Sequence, residues 1–288
     1  MFAFELQFLK WLESIRTGFL TALFEGITIL GEETLVILFI VALWFAVDSR
    51  LAQKVFFAMV CSMGVNGIIK NIAQVPRPFD KGVTPVRKET ATGFSFPSGH
   101  TQNFSTWSTL FAIQFKKKWL AALVAVLIAM VAFSRLYLGV HYPSDVIVGA
   151  TLGVGIAFLA NYLFERVKDV KKLYVAVLII FAPFIVYFLV VAHERFADFF
   201  KTFGMVCGLT LIAFLQEKSE PLSYDVAWWK KLIRIVIGVA LAFALKEGLK
   251  LLKMGGVHLD LVIDTIRYFA VVVGVGYLCP LFFKKIHI

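Results

Sequence analysis

Cysteine is scarce in this sequence. Its 288 residues include three cysteines, Cys61, Cys207 and Cys279, and each lies inside an apolar run. They indicate no disulfide framework and have no metal-ligand spacing, so we interpret them as inert packing residues. Low-complexity segments and long polar linkers are also absent, which argues against a separate soluble domain. We find no short apolar core followed by a small-residue cleavage site, and we expect no removable signal peptide.

Charged residues are few and hydrophobic residues are abundant. Charged side chains make up 17% of the sequence, hydrophobic ones make up 60%, and the mean hydropathy is +0.83. A soluble domain of this size would be about 45–50% apolar. The excess forms long apolar runs at 35–47, 120–133, 173–191 and 233–245. With its flanks each run approaches about 20 residues, enough to cross about 30 Å of hydrocarbon. The sequence therefore predicts an all-α fold, a polytopic membrane helical bundle.

The apolar runs also predict the approximate positions of the helices. We predict them at 33–48, 55–74, 100–115, 119–138, 144–164, 173–192, 199–216, 230–251 and 264–283. Residues 17–30 are apolar but short, and they either cross the membrane or lie in its outer interface. The bundle would therefore have about nine or ten spans.

The first sixteen residues have an amphipathic pattern. Helical spacing puts five apolar side chains on one face: Phe4, Phe8, Trp11, Leu12 and Ile15. Polar residues fall largely opposite, which is typical of a helix lying in a membrane interface. A short helix packed against the bundle would have a similar pattern, and the sequence leaves both possibilities open.

Positive charge exceeds negative charge, with 29 Lys and Arg against 19 Asp and Glu. In a soluble protein a net charge of +10 would suggest nucleic acid, but here we expect contacts with anionic lipid and no nucleic-acid partner. Alternate loops differ in cation density. The denser set, assigned to the cytoplasmic side, contains Arg50, Lys54, Lys116, Lys117, Lys118, Arg166, Lys168, Lys171, Lys172, Lys218, Lys230, Lys231, Lys284 and Lys285. The loops 75–99, 139–143, 193–198 and 253–262 then lie on the opposite side.

The first chemical motif is Lys70-x6-Arg77-Pro78. Lys70 lies near the outer end of the predicted helix 55–74, and a charge within a span is costly and is usually functional or snorkelling. Arg77 is fixed between two prolines, which restrict the backbone around it. Alone, this motif would be weak.

The second motif is Pro97-Ser98-Gly99-His100, which opens the predicted helix 100–115. Free backbone N–H groups at a helix start with a small residue and a glycine form a ready anion site. The alternative is a simple N-cap made by Ser98. In either case His100 would stand at the rim of an anion bound there.

The third motif is Ser134-Arg135-x5-His141-x3-Asp145. His141 and Asp145 are four positions apart, so they can meet one turn along if a helix begins near Pro143. A carboxylate on the ring Nδ1–H fixes the tautomer and leaves Nε2 as a nucleophile. Arg135 ends the preceding helix on the same side. Together, three anion-directed motifs on one membrane face favour a membrane-bound phosphatase with a histidine nucleophile.

These three motifs resemble the complete signature of the type 2 phosphatidate phosphatase superfamily. The resemblance covers about residues 30–165. It implies a six-helix phosphatase core at 31–165, preceded by interfacial or short N-terminal helices at 1–30 and followed by additional transmembrane helices at 166–288. The layout is also similar to the glucose-6-phosphatase and sphingosine-phosphate phosphatase branches, which append helices after the shared core.

The resemblance implies a role for each motif residue. His141 would attack phosphorus and form a phosphohistidine, and Asp145 would orient and stabilise it. His100 would protonate the leaving alkoxide and then activate water. The phosphate oxygens would be held by Lys70, Arg77, Ser98, Gly99 and Arg135. Because three cations can do what Mg²⁺ does elsewhere, we expect no metal and no other cofactor.

Several substrates fit this expectation. A site at the membrane surface suits a phosphate monoester or diphosphate of a lipid, such as phosphatidic acid, phosphatidylglycerophosphate, an isoprenyl diphosphate or a sphingoid phosphate. The alternatives are a phosphoryl or headgroup transferase using the same intermediate, a phosphatase of a soluble sugar phosphate, and a non-enzymatic lipid transporter or scaffold. We expect a bacterial plasma membrane, with the site on the extracytoplasmic face. The oligomeric state is not specified by the sequence.

Two further groups of charges have alternative interpretations. Arg87 and Lys88 could contact a diphosphate or an acidic headgroup, or bind the lipid surface nonspecifically. The charges at 246–253 could line a headgroup access route, or snorkel to the interface around a Glu–Lys pair.

Overall fold

The computed structural model describes residues 3–216 and 222–288. Lys218, counted above among the cytoplasmic cations, lies outside the described residues. The described part contains twelve α-helices and no strand. The helices are α1 Ala3–Ser14, α2 Gly18–Thr28, α3 Glu33–Ala42, α4 Ser49–Ala73, α5 Gly99–Phe115, α6 Lys118–Tyr137, α7 Pro143–Arg166, α8 Val170–Val191, α9 Ala197–Gln216, α10 Trp228–Gly248, α11 Val257–Val273 and α12 Cys279–Lys285. The all-helical membrane fold is therefore confirmed.

Tighter or wider turns extend several of these helices. Short 3₁₀ turns follow α2 at Ile29–Gly31 and α10 at Leu249–Leu252, and π-helical turns follow α3 at Leu43–Val47 and α11 at Gly274–Leu278. The predicted helix 33–48 thus corresponds to α3 with its π-helical turn, and the predicted helix 230–251 to α10 with its 3₁₀ turn.

The helices form two compact units. The first contains the described residues of 1–36 together with 65–161. The second contains 37–64 together with the described residues of 162–288. The residues of all three motifs belong to the first unit.

Among the described helices, six are long and apolar enough to cross a membrane, or seven if the bent pair Gly18–Gly31 and Glu33–Val47 is one span. The expected number of nine or ten is therefore approximate. Two of the predicted helices explain most of the difference. At 17 residues α5 is about 26 Å long, slightly less than a hydrocarbon core. Charged residues at both ends of α10 lower its hydropathy: Lys230, Lys231, Arg234, Lys246 and Glu247.

Polar side chains are frequent in α5, and several of them bond to their own helix. The hydroxyl groups of Ser105, Thr106 and Ser108 donate to the carbonyl oxygens four residues earlier, at 2.7, 2.9 and 2.6 Å. Because the hydroxyls are satisfied within the helix, α5 can bury them without partners from elsewhere.

The start of α4 corrects one sequence prediction. We placed the helix start at 55 and the cations Arg50 and Lys54 in a loop, but α4 begins at Ser49 and includes both. Asp48 accepts the N–H of Leu51 at 2.9 Å, which satisfies a free donor of the first turn. Lys54 is buried and pairs with Glu165 at 3.4 Å. A hydropathy pattern predicts the end of a helix at such charges. In the structure the helix includes them, and the buried Lys54 is paired with Glu165.

A similar ion-pair cluster is centred on Asp264 of α11, a helix that we predicted to begin at 264 but which begins at Val257. Buried Asp264 accepts Lys253 at 2.6 Å and Arg267 at 2.8 Å. On α10, Glu247 lies 3.9 Å from Lys246 and 3.8 Å from Lys250. The charges at 246–253 are thus engaged in ion pairs within the second unit.

The N-terminal helix α1 packs by a different face from the one that its pattern suggested. Its buried residues are Glu5, Leu9 and Leu12, while Phe4 and Trp11 are 75% and 55% exposed. Leu9 and Leu12 join a cluster with residues of the 75–99 loop, α6, the following turn and α7: Val83, Leu136, Tyr142 and Val146. The helix therefore packs against the protein and also presents an apolar face outward.

Two irregular segments of the first unit carry the predicted site residues that lie outside the helices, Arg77, Ser98 and His141. One is the loop between α4 and α5, which includes 3₁₀ turns at Pro78–Lys81 and Lys88–Thr90. The other is the turn 138–142 between α6 and α7, where Gly139 has a φ of +71° that favours glycine. Pro143 then starts α7, at a position where its missing N–H costs nothing.

Candidate active site

His141 lies in the turn between α6 and α7 and is almost completely buried. Its Nδ1 is 3.1 Å from Oδ2 of Asp145, which belongs to the first turn of α7. The contact expected from their four-residue spacing is therefore present. It forms because α7 begins at Pro143, two residues after His141.

The carboxylate of Asp145 is held by more than His141. The same Oδ2 accepts the N–H of Tyr142 at 2.8 Å and the hydroxyl of Ser95 at 2.5 Å. The backbone oxygen of Asp145 accepts the N–H of Ser98 at 3.0 Å. Asp145 thus connects the histidine turn to the segment before α5, and its orientation is fixed from both.

Arg77 is anchored by backbone carbonyls and contacts the other side of the His141 ring. Its guanidinium donates to the carbonyl oxygens of Gly93 at 3.1 Å, Val140 at 2.9 Å and Thr92. Its Nη1 also lies 3.2 Å from Nε2 of His141. A guanidinium can only donate, so this contact fits an unprotonated Nε2 and a proton on Nδ1.

The electrostatic surroundings of His141 favour the neutral ring. Burial lowers the pKa of His141 well below its ordinary value of about 6.5, and the positive charges of Arg77, Arg135 and Lys70 lower it further. A neutral imidazole with the proton on Nδ1 has a lone pair on Nε2, as a nucleophile requires.

Arg135 lies in the last turn of α6 and is fully buried. Its Nη1 donates to the hydroxyl of Thr28 at 2.7 Å, and both terminal nitrogens lie 3.3–3.4 Å from the hydroxyl of Thr90. Its Nε is buried and has no hydrogen-bond partner among the described residues. The Nε–H of this cation therefore remains available to donate to an anion.

The second motif forms the start of α5. Ser98 occupies the N-cap position, but its hydroxyl lies 3.0 Å from the hydroxyl of Thr101 and does not cap the helix backbone. A methyl group at Gly99 would be 3.5 Å from Oδ1 of Asn66 and 4.0 Å from Nζ of Lys70. The cation of Lys70, in the last turn of α4, thus approaches the positive end of α5.

His100 follows in the first turn of α5. Its Nε2 is buried and has no hydrogen-bond partner within the described ranges. A Cβ at Gly31 would lie 2.7 Å from the carbonyl oxygen of His100, so this close approach requires glycine.

The eight predicted site residues thus lie in one unit, but several supporting residues were not predicted. Ser95 holds Asp145, Thr28 and Thr90 hold Arg135, and Asn66 donates to Gln102 at 2.8 Å and to the Pro97 carbonyl at 3.3 Å. The sequence could have indicated Asn66, because it lies one helical turn before Lys70 and on the same helix face. Thr28 had no such signal, since 107 positions separate it from Arg135.

Arg87 and Lys88 are engaged by protein groups. Nη1 of Arg87 is 2.8 Å from a carboxylate oxygen of Glu32, and its Nε is 3.7 Å from Glu89. The Lys88 ammonium lies 5.0 Å from the centre of the Phe79 ring. Both cations therefore stabilise the loop that carries Thr90.

No group of three or more His, Cys, Asp or Glu side chains that could hold a metal ion is found in the described part of the chain. Apart from the Asp145 carboxylate, the charged side chains that act on His141 are the cations Arg77, Arg135 and Lys70, which suit an anionic ligand.

Two family models match this chain. Residues 51–169 match the PAP2 superfamily, and residues 200–288 match the transmembrane extension of PAP2 superfamily phosphatases. The lipid phosphate phosphatase delta of Arabidopsis thaliana is 27% identical over 176 residues, which is 55% of this chain and 42% of that protein. The undecaprenyl-diphosphatase of Sulfolobus acidocaldarius is 30% identical over 125 residues, 43% of this chain and 60% of that protein. The matches thus span about half the length of these relatives.

A solved structure supports the same assignment. The crystal structure of a transmembrane PAP2 type phosphatidylglycerolphosphate phosphatase from Bacillus subtilis aligns with a TM-score of 0.50 and 25% identity. The alignment covers 57% of this chain and 86% of that chain. With both family models matching and the three motifs gathered in one unit, the chain belongs to the PAP2 superfamily.

Proposed function

We propose that the protein is a membrane phosphatase that hydrolyses a phosphate monoester or diphosphate of a lipid through a phosphohistidine. The arrangement of His141 carries this proposal: Asp145 is on Nδ1, Arg77 faces Nε2, and both contacts fit a neutral ring with a lone pair on Nε2. Membership of a superfamily that includes lipid phosphatases supports it.

In the first step, Nε2 of His141 attacks phosphorus and the bond between phosphorus and the leaving oxygen breaks. The new P–N bond makes the ring cationic, and the Asp145 carboxylate on Nδ1–H stabilises that charge. His100, protonated at Nε2, donates a proton to the leaving oxygen, which belongs to an alkoxide in a monoester and to a lipid monophosphate in a diphosphate. In the second step His100 removes a proton from water, the water oxygen attacks phosphorus, and the P–N bond breaks to release phosphate.

The cations stabilise charge on the three equatorial oxygens as the transition state forms. We assign this role to Arg77, Arg135 and Lys70, together with the backbone N–H groups at the start of α5 and with Ser98 and Gly99 there. Because three positive side chains provide the charge, we expect hydrolysis without a divalent metal.

The substrate is proposed from the position of the site. The turn 138–142 joins two candidate spans, α6 and α7, so His141 lies near a membrane surface, where a lipid presents its phosphate. The relatives named above act on lipid phosphates and undecaprenyl diphosphate, which supports a lipid substrate. From the cation-rich loops on the other side, we further propose that this surface is extracytoplasmic. We propose a bacterial plasma membrane as the location of the protein.

The test is phosphate release by the purified protein in EDTA, with phosphatidic acid, an isoprenyl diphosphate and glucose 6-phosphate as substrates. We expect release from a lipid substrate, and a loss of at least 10³-fold, an order-of-magnitude figure, in His141→Ala. His258→Ala is the matched control, because His258 is an exposed histidine outside the three motifs.

Other results would change the proposal in defined ways. Equal rates of phosphate release by the parent protein and by His141→Ala would exclude His141 as the nucleophile. Activity lost in EDTA and restored by a divalent ion would contradict the metal-free mechanism. Transfer of the phosphoryl group to an added alcohol in preference to water would indicate a transferase, and release only from glucose 6-phosphate would indicate a sugar phosphatase.

A further inference from the structure

The helix α1 lies directly against the turn that carries His141. Leu9 and Leu12 of this helix are buried in the same cluster as Tyr142 and Val146, which flank the first residues of α7. Farther along, the side chain of Arg16 donates to the carbonyl oxygen of Tyr137 at 2.9 Å. The N-terminal segment thus contacts the chain on both sides of His141. It precedes both matched family regions, which begin at residues 51 and 200.

Glu5 is the polar residue on the buried face of α1. It is 7% exposed, and its Oε1 accepts the backbone N–H of Ser144 at 2.8 Å. Ser144 is the second residue of α7 and directly precedes Asp145. The N–H groups of a first helical turn have no partner within the helix and need an acceptor.

The sequence around α7 does not provide that acceptor locally. Tyr142 stands just before the helix, and a tyrosine side chain is not an N-cap acceptor of the usual kind. Glu5 supplies the acceptor from 139 positions away, and its negative charge is favourable at the positive end of the helix. Its Oε2 is nevertheless buried without a hydrogen-bond partner among the described residues, which costs stability. A role in packing alone would be met more cheaply by an apolar side chain.

We propose that Glu5 is a positioning residue for the reaction: it fixes the first turn of α7 and thereby holds the Asp145 carboxylate against Nδ1 of His141. This inference rests on the proposed function. If the Ser144 N–H lost its acceptor, the first turn of α7 would loosen, and the 3.1 Å contact between His141 and Asp145 would be made in a smaller fraction of molecules.

The test compares four variants in the full-length protein. Glu5→Ala removes the acceptor, Glu5→Asp keeps the charge but shortens the reach, and Glu5→Gln keeps both the reach and an acceptor oxygen. Glu13→Ala is the matched control, because Glu13 also lies on α1 and accepts a backbone N–H, that of Thr84 at 3.2 Å, but does not contact α7. The measurements are kcat and KM for lipid phosphate hydrolysis, the melting temperature, and hydrogen exchange of residues 138–146.

We expect Glu5→Ala and Glu5→Asp to lower kcat by about 10-fold, the usual effect of removing a group that orients a reactive residue, with KM changed less than about 2-fold. Glu5→Gln should restore most of kcat, and Glu13→Ala should stay within about 2-fold of the parent protein. Exchange of residues 138–146 should be faster in Glu5→Ala and Glu5→Asp only.

Equal losses of kcat in Glu5→Ala and Glu13→Ala, or a loss that follows the melting temperature in all four variants, would reduce Glu5 to a packing residue. If the parent protein released no phosphate, the proposed function would fail, while the exchange measurement would still decide the contact. Unchanged exchange at 138–146 in Glu5→Ala and Glu5→Asp would overturn the inference in either case.

Discussion

The chemistry proposed for His141 depends on which ring nitrogen carries a proton. The Asp145 carboxylate accepts at Nδ1, and the Arg77 guanidinium can only donate at Nε2, so one proton on Nδ1 satisfies both neighbours. A second proton would place a donor against a cation. The same contacts that orient the ring therefore also keep Nε2, the proposed nucleophile, unprotonated.

This arrangement predicts the acid side of the pH profile. The pKa of His141 is lowered by burial and by Arg77, so the ring stays neutral until the pH falls below that lowered value. We expect kcat/KM, corrected for ionisation of the substrate, to persist as the pH falls through about 6.5 and to be lost only at lower pH. Phosphate release measured from pH 4 to 9, with the substrate titrated separately by ³¹P NMR, checks this. A loss centred at or above 6.5 would contradict it.

The sequence indicates the residues of the proposed site more readily than the residues that support them. Contacts within one turn of helix, such as His141 with Asp145, follow from spacing alone. The hydroxyl groups of Ser95 and Thr28 come from other segments, and a serine or threonine is too common to stand out before the chain is folded. Ser98 was identified, yet its hydroxyl contacts Thr101 rather than capping α5, because rotamer choice depends on neighbours that the sequence does not place.

At the scale of elements, the 3₁₀ turn Ile29–Gly31 packs against the first turn of α5. Gly31 is buried, and its Cα approaches the backbone of His100 closely enough that a side chain would not fit. Thr28, just before this turn, holds Arg135. The end of α2 and the 3₁₀ turn that follows it thus contact two residues proposed to act on the substrate.

Two glycine substitutions distinguish the effect of this close contact from the effect of replacing any glycine of this segment by alanine. In Gly31→Ala the new methyl group would lie 2.7 Å from the His100 carbonyl, so we expect a loss of about 1–3 kcal/mol in the free energy of unfolding and reduced phosphate release. In Gly26→Ala, on α2, nothing lies within 4 Å of the new methyl group, and we expect unchanged activity with stability equal or about 0.4–1 kcal/mol higher. Thermal or denaturant unfolding and phosphate release check both. Similar behaviour of the two variants would argue against the close contact.

Helix positions were predictable wherever an apolar run is uninterrupted, as in α6 and α8. They were less predictable where charges lie inside a helix. The part of α4 that was not predicted includes Lys54, whose partner Glu165 makes its burial tolerable, and in α11 the buried Asp264 is likewise paired with Lys253 and Arg267. A hydropathy pattern cannot anticipate these pairs, since it scores each charge alone.

For the whole molecule, the distribution of cations is the feature from which we propose an orientation in the membrane. The segment joining α5 to α6 carries Lys116, Lys117 and Lys118, and the proposed site lies at the other ends of these helices. Cation-rich connections remain on the cytoplasmic side during insertion. The motif cations Arg77 and Arg135 oppose this asymmetry, but their carbonyl and hydroxyl partners bind them within the site.

Cysteine labelling tests this orientation in cells. In a background with Cys61, Cys207 and Cys279 replaced by alanine, we introduce either Lys81→Cys or Lys117→Cys, both at exposed positions. A membrane-impermeant maleimide should label the cysteine at 81 in intact cells, and the cysteine at 117 only after permeabilisation. The reverse pattern would place the site on the cytoplasmic face. Labelling of both cysteines in intact cells would show that the reagent enters the cells, so a cytoplasmic marker protein that must remain unlabelled serves as control.

The outward face of α1 determines how such assays must be carried out. Phe4 and Trp11 are exposed on the helix whose buried face reaches the His141 turn, and aromatic side chains of this kind sit in the boundary between headgroups and acyl chains. Exchanging that boundary for a micelle changes the surroundings of α1 and, through it, the turn. Rates for two lipids measured in two different detergents would therefore mix substrate preference with solvent preference, and a ranking of substrates requires one common bilayer.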